Sequence, residues 1–256
     1  MGFEIFYPEG ISGQLIKYYW FLEESNGQNT LQHVIPEGNP RFLYYLKGSG
    51  KNNISGELQP GIFICGQKDV YSELEVSSHC KVFGIDFHPY ALGFLKGVYA
   101  NELRGLEIKP CEIFSDLQEQ VTEILNDPTS NFEKAKKLDT VFSKIHNIDA
   151  YELNIFSNIL EELERTDLTK TSVLAKQLHL TERTLERKFL RYIGLPPNKF
   201  MRIKRFNSAY EKLKGYKGSL AELSYDSGYY DQSHFIRDMK TFSGMTPKNL
   251  QKILTG

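Results

Sequence analysis

Short apolar runs separated by turn-forming residues fill the first hundred or so positions of the chain. Segments such as RFLYYLKG, GIFICG and CKVFGIDFHP are rich in aromatic and β-branched residues and are bounded by Gly, Pro and Asn. This composition favours strands, and the frequent turn residues keep each strand short. The pattern predicts a β-rich N-terminal domain over residues 1–112.

The hydrophobic spacing changes to a helical period near Phe114. In IFSDLQEQVTEILN, apolar residues recur every four positions from Ile113 to Leu125, which places them on one face of a helix. The segment NDPTSN ends that helix, and Ser130 or Asn131 can cap a second helix through FEKAKKLDTVFSKIH. We therefore predict a helical connector over residues 113–150 and an all-helical domain over residues 151–256. The expected fold class is α+β.

An internal repeat displaced by 50 residues lies in the last helical region. Each copy carries two hydrophobic residues, a glycine and a proline at spacings of four, five and three. Thr181 and Asp231, both good helix N-caps, keep the same displacement. This regularity predicts one helix-turn-helix unit used twice. The matched positions are Leu185 with Phe235, Phe189 with Met239, Gly194 with Gly244, and Pro197 with Pro247.

Each copy is predicted to present one polar helix face to solvent. A short helix, SVLAKQL or LAELSYDS, precedes a turn, and a longer helix follows the cap residue. Gly228 lies in the second turn, where a positive φ is expected. Residues three or four apart share a face, so the side chains opposite the apolar positions point outward. These outer residues are Arg183, Glu186, Arg187 and Arg191 in the first copy, and Gln232, Ser233, Ile236, Arg237 and Lys240 in the second.

A continuous helix, NKFMRIKRFNSAYEKLK, is predicted to join the two copies. A rigid helix of this kind can hold two outer helices for successive major grooves, about 34 Å apart. Arginine pairs there with guanine and glutamine with adenine. Lys204 and Arg205 on the joining helix are interpreted either as ordinary surface charges or as phosphate contacts.

The charge distribution divides the chain at the same place as the hydrophobic pattern. Residues 1–164 hold 13 basic against 24 acidic side chains, whereas residues 165–256 hold 18 against 8. A basic domain favours binding to a polyanion, because Lys and Arg that neutralise phosphates release counterions. Solvated helix faces are also often basic, so charge alone leaves both interpretations open.

Other classes of protein find little support in the sequence. No apolar run approaches the roughly 20 residues that a membrane span needs, and no signal peptide precedes the first strand. The three cysteines, Cys65, Cys80 and Cys111, lack the spacing of a zinc site or a disulfide framework. Pro110-Cys111-Glu112 has no histidine to activate the thiol. We expect a reduced, cytoplasmic, nucleoid-associated protein that is not an enzyme and binds no cofactor or metal.

The region from Asn154 to Ile253 resembles the DNA-binding domain of the AraC/XylS family of bacterial transcription regulators. The resemblance rests on LAKQLHLTERTLERKFLRYIGLPPNKFMRIKRFNSA and on AELSYDSGYYDQSHFIRDMKTFSGMTPKNL. It implies a sequence-specific regulator of double-stranded DNA. It also implies that bases are approached by Arg183, Glu186 and Arg187 in the first unit and by Gln232, Ser233, Ile236 and Arg237 in the second. Glu182 and Glu186 depart from a purely basic face, so the first helix is expected either to read bases differently or to contribute less to affinity.

The N-terminal half resembles the β-rich, cupin-like sensor or assembly domain found on one branch of these regulators. If the strands close into a barrel, its lining can bind a small-molecule effector. Trp20 is alternatively a core residue, and Pro36-Glu37-Gly38 an ordinary turn. The candidate ligand-binding residues are Trp20, His33, Glu37, Arg41, Tyr45 and His88.

Two alternatives concern the partners of the acidic half. In the first, this half binds no effector and serves protein interaction, including contact with RNA polymerase. In the second, the connector helices use their apolar stripes at Leu117, Val121 and Leu125 and at Ala135, Leu138 and Phe142 to form a homodimer. The competing interpretation of these stripes is that they cover their own barrel.

Overall fold

A computed structural model describes residues 2–24, 27–54, 56–58, 61–95, 98–109, 115–144, 149–165 and 170–255. Within these ranges, ten strands precede residue 109 and nine α-helices follow residue 114. The predicted β-rich N-terminal region and helical C-terminal region are thereby confirmed. No helix in the described ranges is long and apolar enough to cross a membrane. Ile113, Phe114 and Cys111 lie outside the described residues.

The strands form two antiparallel sheets. Their bounds are β1 Gly2–Phe6, β2 Ile16–Glu23, β3 Thr30–Val34, β4 Arg41–Lys47, β5 Gly50–Asn52, β6 Gly56–Leu58, β7 Gly61–Cys65, β8 Ser72–Val76, β9 Lys81–Phe87 and β10 Glu107–Ile108. The first sheet has the order β1-β2-β9-β4-β7-β10, and the second has the order β3-β8-β5-β6.

The first sheet is buried on both faces, as alternation along β2 illustrates. Tyr19 and Phe21 belong to the large hydrophobic core. Trp20 and Leu22 point the other way, because successive strand residues alternate, and pack in a smaller core between the two sheets. The two sheets therefore enclose a barrel-like interior, as expected for a cupin-like domain.

Two helices, α1 (Ser115–Asn126) and α2 (Asn131–Phe142), cover the outer face of the first sheet. Ser130 caps α2 and forms a capping box with Glu133. The Phe142 ring centroid lies 5.9 Å from that of Phe42 on β4. The carboxylate of Asp139 accepts hydrogen bonds from the hydroxyl of Tyr19 at 2.8 Å and the backbone amide of Glu9 at 3.1 Å. The apolar stripes of both helices are buried in this contact, so they cover their own barrel.

In its described residues, 149–165 and 170–255, the C-terminal region has seven α-helices. They are α3 Ala150–Arg165, α4 Thr171–Gln177, α5 Glu182–Lys188, α6 Pro197–Leu213, α7 Leu220–Asp226, α8 Gln232–Ser243 and α9 Pro247–Thr255. One π-helical turn, Phe189–Ile193, extends α5.

This π-helical turn packs closely against the N-terminal region. A Cβ added at Gly93 would lie 2.4 Å from the Cα of Tyr192, and one added at Gly194 would lie 2.5 Å from the carbonyl oxygen of Ala100. Gly194 also has a φ of 86° and ends the helix. Both glycines are therefore needed for the approach of the two regions.

Candidate nucleic-acid interface

The first helix-turn-helix unit comprises α4, α5 and the turn between them. His179 in the turn has a φ of 54°, which is uncommon for a residue with a side chain. The Thr181 hydroxyl then accepts a hydrogen bond from the amide of Thr184 at 3.1 Å and begins α5. Leu174, Leu185 and Phe189 are completely buried. The predicted cap of this unit is confirmed, and the repeated hydrophobic positions Leu185 and Phe189 lie in the core.

The second unit repeats this geometry with α7 and α8. Gly228 has a φ of 74° in the turn, as predicted. The Asp231 carboxylate accepts from the amide of His234 at 2.7 Å and begins α8. Gly244 ends α8 in the left-handed conformation, as Gly194 does in the first unit. The internal repeat in the sequence is therefore a structural repeat.

Helix α6 joins the units and is fixed to α8 by a partly buried ion pair. The Arg202 guanidinium donates two hydrogen bonds, at 2.6 and 3.2 Å, to one oxygen of Asp238, which is fully buried. The Tyr229 ring lies beside this pair. Burial, followed by the charge of Asp238, raises the pKa of Tyr229, so its hydroxyl stays protonated. The orientation of α8 relative to α6 is therefore defined by charge as well as by packing.

The outer faces of α5 and α8 place the predicted residues in solvent. Ile236 is half-buried against the core. Glu182 on α5 is exposed beside the same face, so an acidic side chain does stand there. The exposed members of the predicted set are Arg183, Glu186, Arg187, Arg191, Gln232, Ser233, Arg237 and Lys240.

The two faces differ in their surroundings. A cleft between α5 and the N-terminal region is lined by Asn101 together with Arg183, Glu186 and Arg187. Beside it, the Arg191 guanidinium lies 4.4 Å from the centre of the Tyr99 ring and donates to the carbonyl of Val98 at 3.4 Å. The outer face of α5 is therefore bordered by the N-terminal region at its C-terminal end.

An exposed aromatic side chain near α8 was not singled out from the sequence. Tyr230 is 89% exposed and directly precedes the cap residue of α8. Two aromatic residues in a row before the helix cap could have indicated this, because Tyr229 already fills the core and leaves Tyr230 outside it. Arg205 on α6 lies 5.2 Å from the Tyr229 ring centre. This position is compatible both with an ordinary surface charge and with a phosphate contact.

The barrel interior holds three of the six candidate ligand-binding residues. A cavity of about 120 Å³ between the sheets is lined by Trp20, Arg41 and Tyr45. Glu37 is hydrogen-bonded to Arg41 at 2.5 Å from outside this lining. His33 is exposed on the outward side of β3, and His88 stacks on Tyr90 in a separate groove beside α3. The structure therefore does not bring the two histidines to the cavity.

The thiol of Cys65 also lines the cavity. Burial raises its pKa to about 12, so it remains a neutral thiol at ordinary pH. Among the residues that the structure describes, no three His, Cys, Asp or Glu side chains are grouped as metal ligands.

Two family models match the chain. Residues 174–253 match a helix-turn-helix domain, and residues 8–109 match a domain of unknown function, DUF6597. A search of curated proteins gives no match.

Several solved structures are similar to all or part of this chain. ToxT from Vibrio cholerae O395 is 15% identical over 92% of this chain and 97% of that chain, with a TM-score of 0.48. The C-terminal domain of the response regulator yesN from Fusobacterium nucleatum is 25% identical over 38% of this chain and 98% of that chain, with a TM-score of 0.37. A transcriptional regulator with an AraC-type DNA-binding domain from Chromobacterium violaceum is 21% identical over 41% of this chain and 96% of that chain, with a TM-score of 0.38.

Proposed function

Because the C-terminal region of this chain is an AraC-type helix-turn-helix domain, which makes the chain a DNA-binding transcription regulator, we propose that its two units read successive major grooves of one operator. The DNA-binding domain spans residues 151–256 in this proposal. Residues 1–112 form a sensor domain, and the connector of residues 113–150 is attached to that sensor.

The observation that carries the proposal is the pair of polar helix faces on one rigid support. Both α5 and α8 begin at a capped turn, and α6 joins the two units. A left-handed glycine ends α8 and also ends the π-helical turn that extends α5. An exposed α-helix of this kind fits the major groove. A single operator with two elements is the natural target of such a pair.

Individual roles follow from the chemistry of the side chains. Arg187 and Arg237 are assigned to bidentate contact with guanine, and Gln232 to adenine. Glu186 is assigned to accept from the N4 amino group of cytosine, a base contact that suits a carboxylate in the major groove. The remaining contacts, to phosphates or by packing against bases, are assigned to Arg183, Arg191, Ser233, Ile236 and Lys240.

The finer proposal for the sensor domain is that a small-molecule effector occupies the cavity beside Trp20, Arg41 and Tyr45. A cavity with mostly apolar walls and a few polar groups is the usual form of such a site. The alternative is an acidic half that serves only protein interaction, with RNA polymerase or with a second copy of the chain.

Selection of the purified protein on a random pool of double-stranded DNA at physiological salt tests the proposal. The expected result is enrichment of a two-part site whose elements are about one helical turn apart. Enrichment of a single element would reject the two-groove model. Binding without enrichment, weakening steeply with salt, would reject specific recognition altogether.

A further inference from the structure

The cavity between the two sheets also carries information about the kind of molecule that it can hold. Its walls are mostly apolar and include Leu22, Val34, Leu43 and Leu74 in addition to Trp20. Trp20 is the one tryptophan of the chain. Its indole lies against bare backbone, since a Cβ at Gly84 would come within 2.0 Å of the ring. The ring is therefore held flat as part of the wall.

The volume of the cavity limits the size of its occupant. The cavity measures about 120 Å³, and an apolar cavity of about 150 Å³ accepts benzene. Because the cavity is somewhat smaller than that, a single ring with no more than one small substituent is the upper size. A long acyl chain does not fit unless the sheets separate.

Each ionised side chain in the cavity wall already has a partner of opposite charge. Arg41 pairs with Asp86 at 2.6 Å, and the same carboxylate accepts from the indole nitrogen of Trp20 at 2.8 Å. Lys68 pairs with Glu107 at 2.7 Å, and both side chains are largely buried. A charged ligand would lose its hydration without gaining an unpaired counter-charge, which is unfavourable for either sign.

Two uncharged polar groups in the wall remain available for hydrogen bonding. Within the described part of the chain, neither the Gln32 amide nor the Tyr45 hydroxyl has a hydrogen-bond partner, and both residues line the cavity. An amide and a phenol can each donate and accept. A hydroxyl or carbonyl oxygen on the ligand would satisfy them.

From this arrangement we propose that the effector is a small, uncharged, ring-sized molecule carrying a hydroxyl or carbonyl group. The inference deepens the proposed sensor function and rests on it only in identifying the cavity as the effector site. Binding to the isolated full-length protein can be measured without DNA, so the ligand class and the regulatory role can fail separately.

The emission of Trp20 gives a direct readout of occupancy, because it comes from the cavity wall. Three probes of one ring size are titrated into the full-length chain: cyclohexanol, cyclohexanecarboxylate and cyclohexylammonium. Dodecanol is added as a long neutral probe. We expect saturable change with cyclohexanol in the millimolar range and at least about tenfold weaker binding of both ions. Equal or tighter binding of an ion, binding of dodecanol alone, or no saturable response to cyclohexanol would overturn the proposal.

Two variants show whether the signal comes from the cavity. Val34→Phe should fill it and abolish cyclohexanol binding, whereas Leu31→Phe, on the outward side of the same strand, should leave binding unchanged. Loss of cyclohexanol binding in both variants, or in neither, would show that cyclohexanol binds outside the cavity. Circular dichroism of each variant checks that the sheets remain folded.

A third variant tests the charge argument independently of cavity size. Glu107→Gln removes the partner of Lys68 and should improve cyclohexanecarboxylate binding at least about tenfold relative to cyclohexanol. Glu75→Gln, an exposed change on β8, is the matched control and should leave the preference unaltered. If Glu107→Gln still preferred cyclohexanol over cyclohexanecarboxylate to the same extent as the native chain, the argument that paired wall charges exclude charged ligands would be wrong. Random-pool DNA selection with the same preparation separately tests the regulator proposal.

Discussion

Arg191, on the outer face of the first reading helix, lies with its guanidinium over the ring of Tyr99 from the N-terminal region, 4.4 Å from the ring centre. The same side chain donates to the carbonyl of Val98. One of the cations assigned to DNA therefore has two partners in the sensor domain. Release of Arg191 would add one cation to the DNA-binding surface.

Tyr99→Ala is expected to strengthen DNA binding about two- to fivefold, because an exposed cation–π contact of about 0.5–1 kcal/mol no longer holds Arg191. A plot of the logarithm of DNA affinity against the logarithm of salt concentration should also become steeper, by the amount that one additional phosphate contact gives. Fluorescence anisotropy over a salt series measures both quantities. Tyr7→Ala, another exposed tyrosine of the same domain, is the control. Weaker binding by Tyr99→Ala at every salt concentration would show that Tyr99 supports recognition instead.

The connector helices give a prediction that separates packing from subunit assembly. Leu117 and Val121 are buried against their own barrel, so Leu117→Glu with Val121→Glu should lower the free energy of unfolding by several kcal/mol, since two carboxylates enter an apolar core. Thermal unfolding and light scattering are measured together. Gln118→Glu on the exposed side of α1 should change neither. A double variant that keeps its stability while its mass halves would mean that the stripes form a subunit interface.

The ion pair between α6 and α8 predicts a strong stability effect, because its Asp238 carboxylate is fully buried. Arg202→Ala leaves the Asp238 carboxylate buried without its main partner, at a cost of about 3 kcal/mol. Urea unfolding followed by circular dichroism measures it, with Lys240→Ala as an exposed control close to zero. Replacing both residues, by Arg202→Met and Asp238→Leu, should recover much of the loss because no charge is then buried. A loss below about 0.5 kcal/mol in Arg202→Ala would show that the pair contributes little.

Alkaline pH tests the environment of the cavity. Burial raises the pKa of Cys65 from 9.0 to about 12, so the folded chain disfavours the thiolate that the unfolded chain forms more readily. The associated stability is complete below pH 9 and is lost as the pH rises towards 12. Unfolding free energy should therefore fall less steeply with pH in Cys65→Ala than in the native chain. If the unfolding free energy fell equally steeply with pH in Cys65→Ala and in the native chain, the Cys65 thiol would be accessible and have an ordinary pKa.

Much of the helical domain could be predicted because its signals are local. The caps Thr181 and Asp231, the turn glycine Gly228 and the 50-residue repeat each depend on neighbouring residues, and the structure has all of them. The fold class followed from the change of hydrophobic period.

The features that sequence reasoning missed depend on distant residues. Arg191 meets Tyr99 across 92 positions, and Lys68 meets Glu107 across 39, so no local pattern signals either contact. His33 points outward because strand side chains alternate and Gln32 and Val34 occupy the inner positions of β3. A shift of one residue in the register would have reversed this, and the sequence alone does not specify it.

The measurement that tests the central claim most directly is random-pool DNA selection with the native chain, Arg187→Ala and Arg237→Ala in parallel. Each variant should lose about 1–3 kcal/mol of specific binding and relax one base position, Arg187→Ala only in one element of the site and Arg237→Ala only in the other. Such a result would show that each helix reads its own groove. Uniform weakening on all sequences, or loss of specificity in the same element by both variants, would contradict the two-groove account.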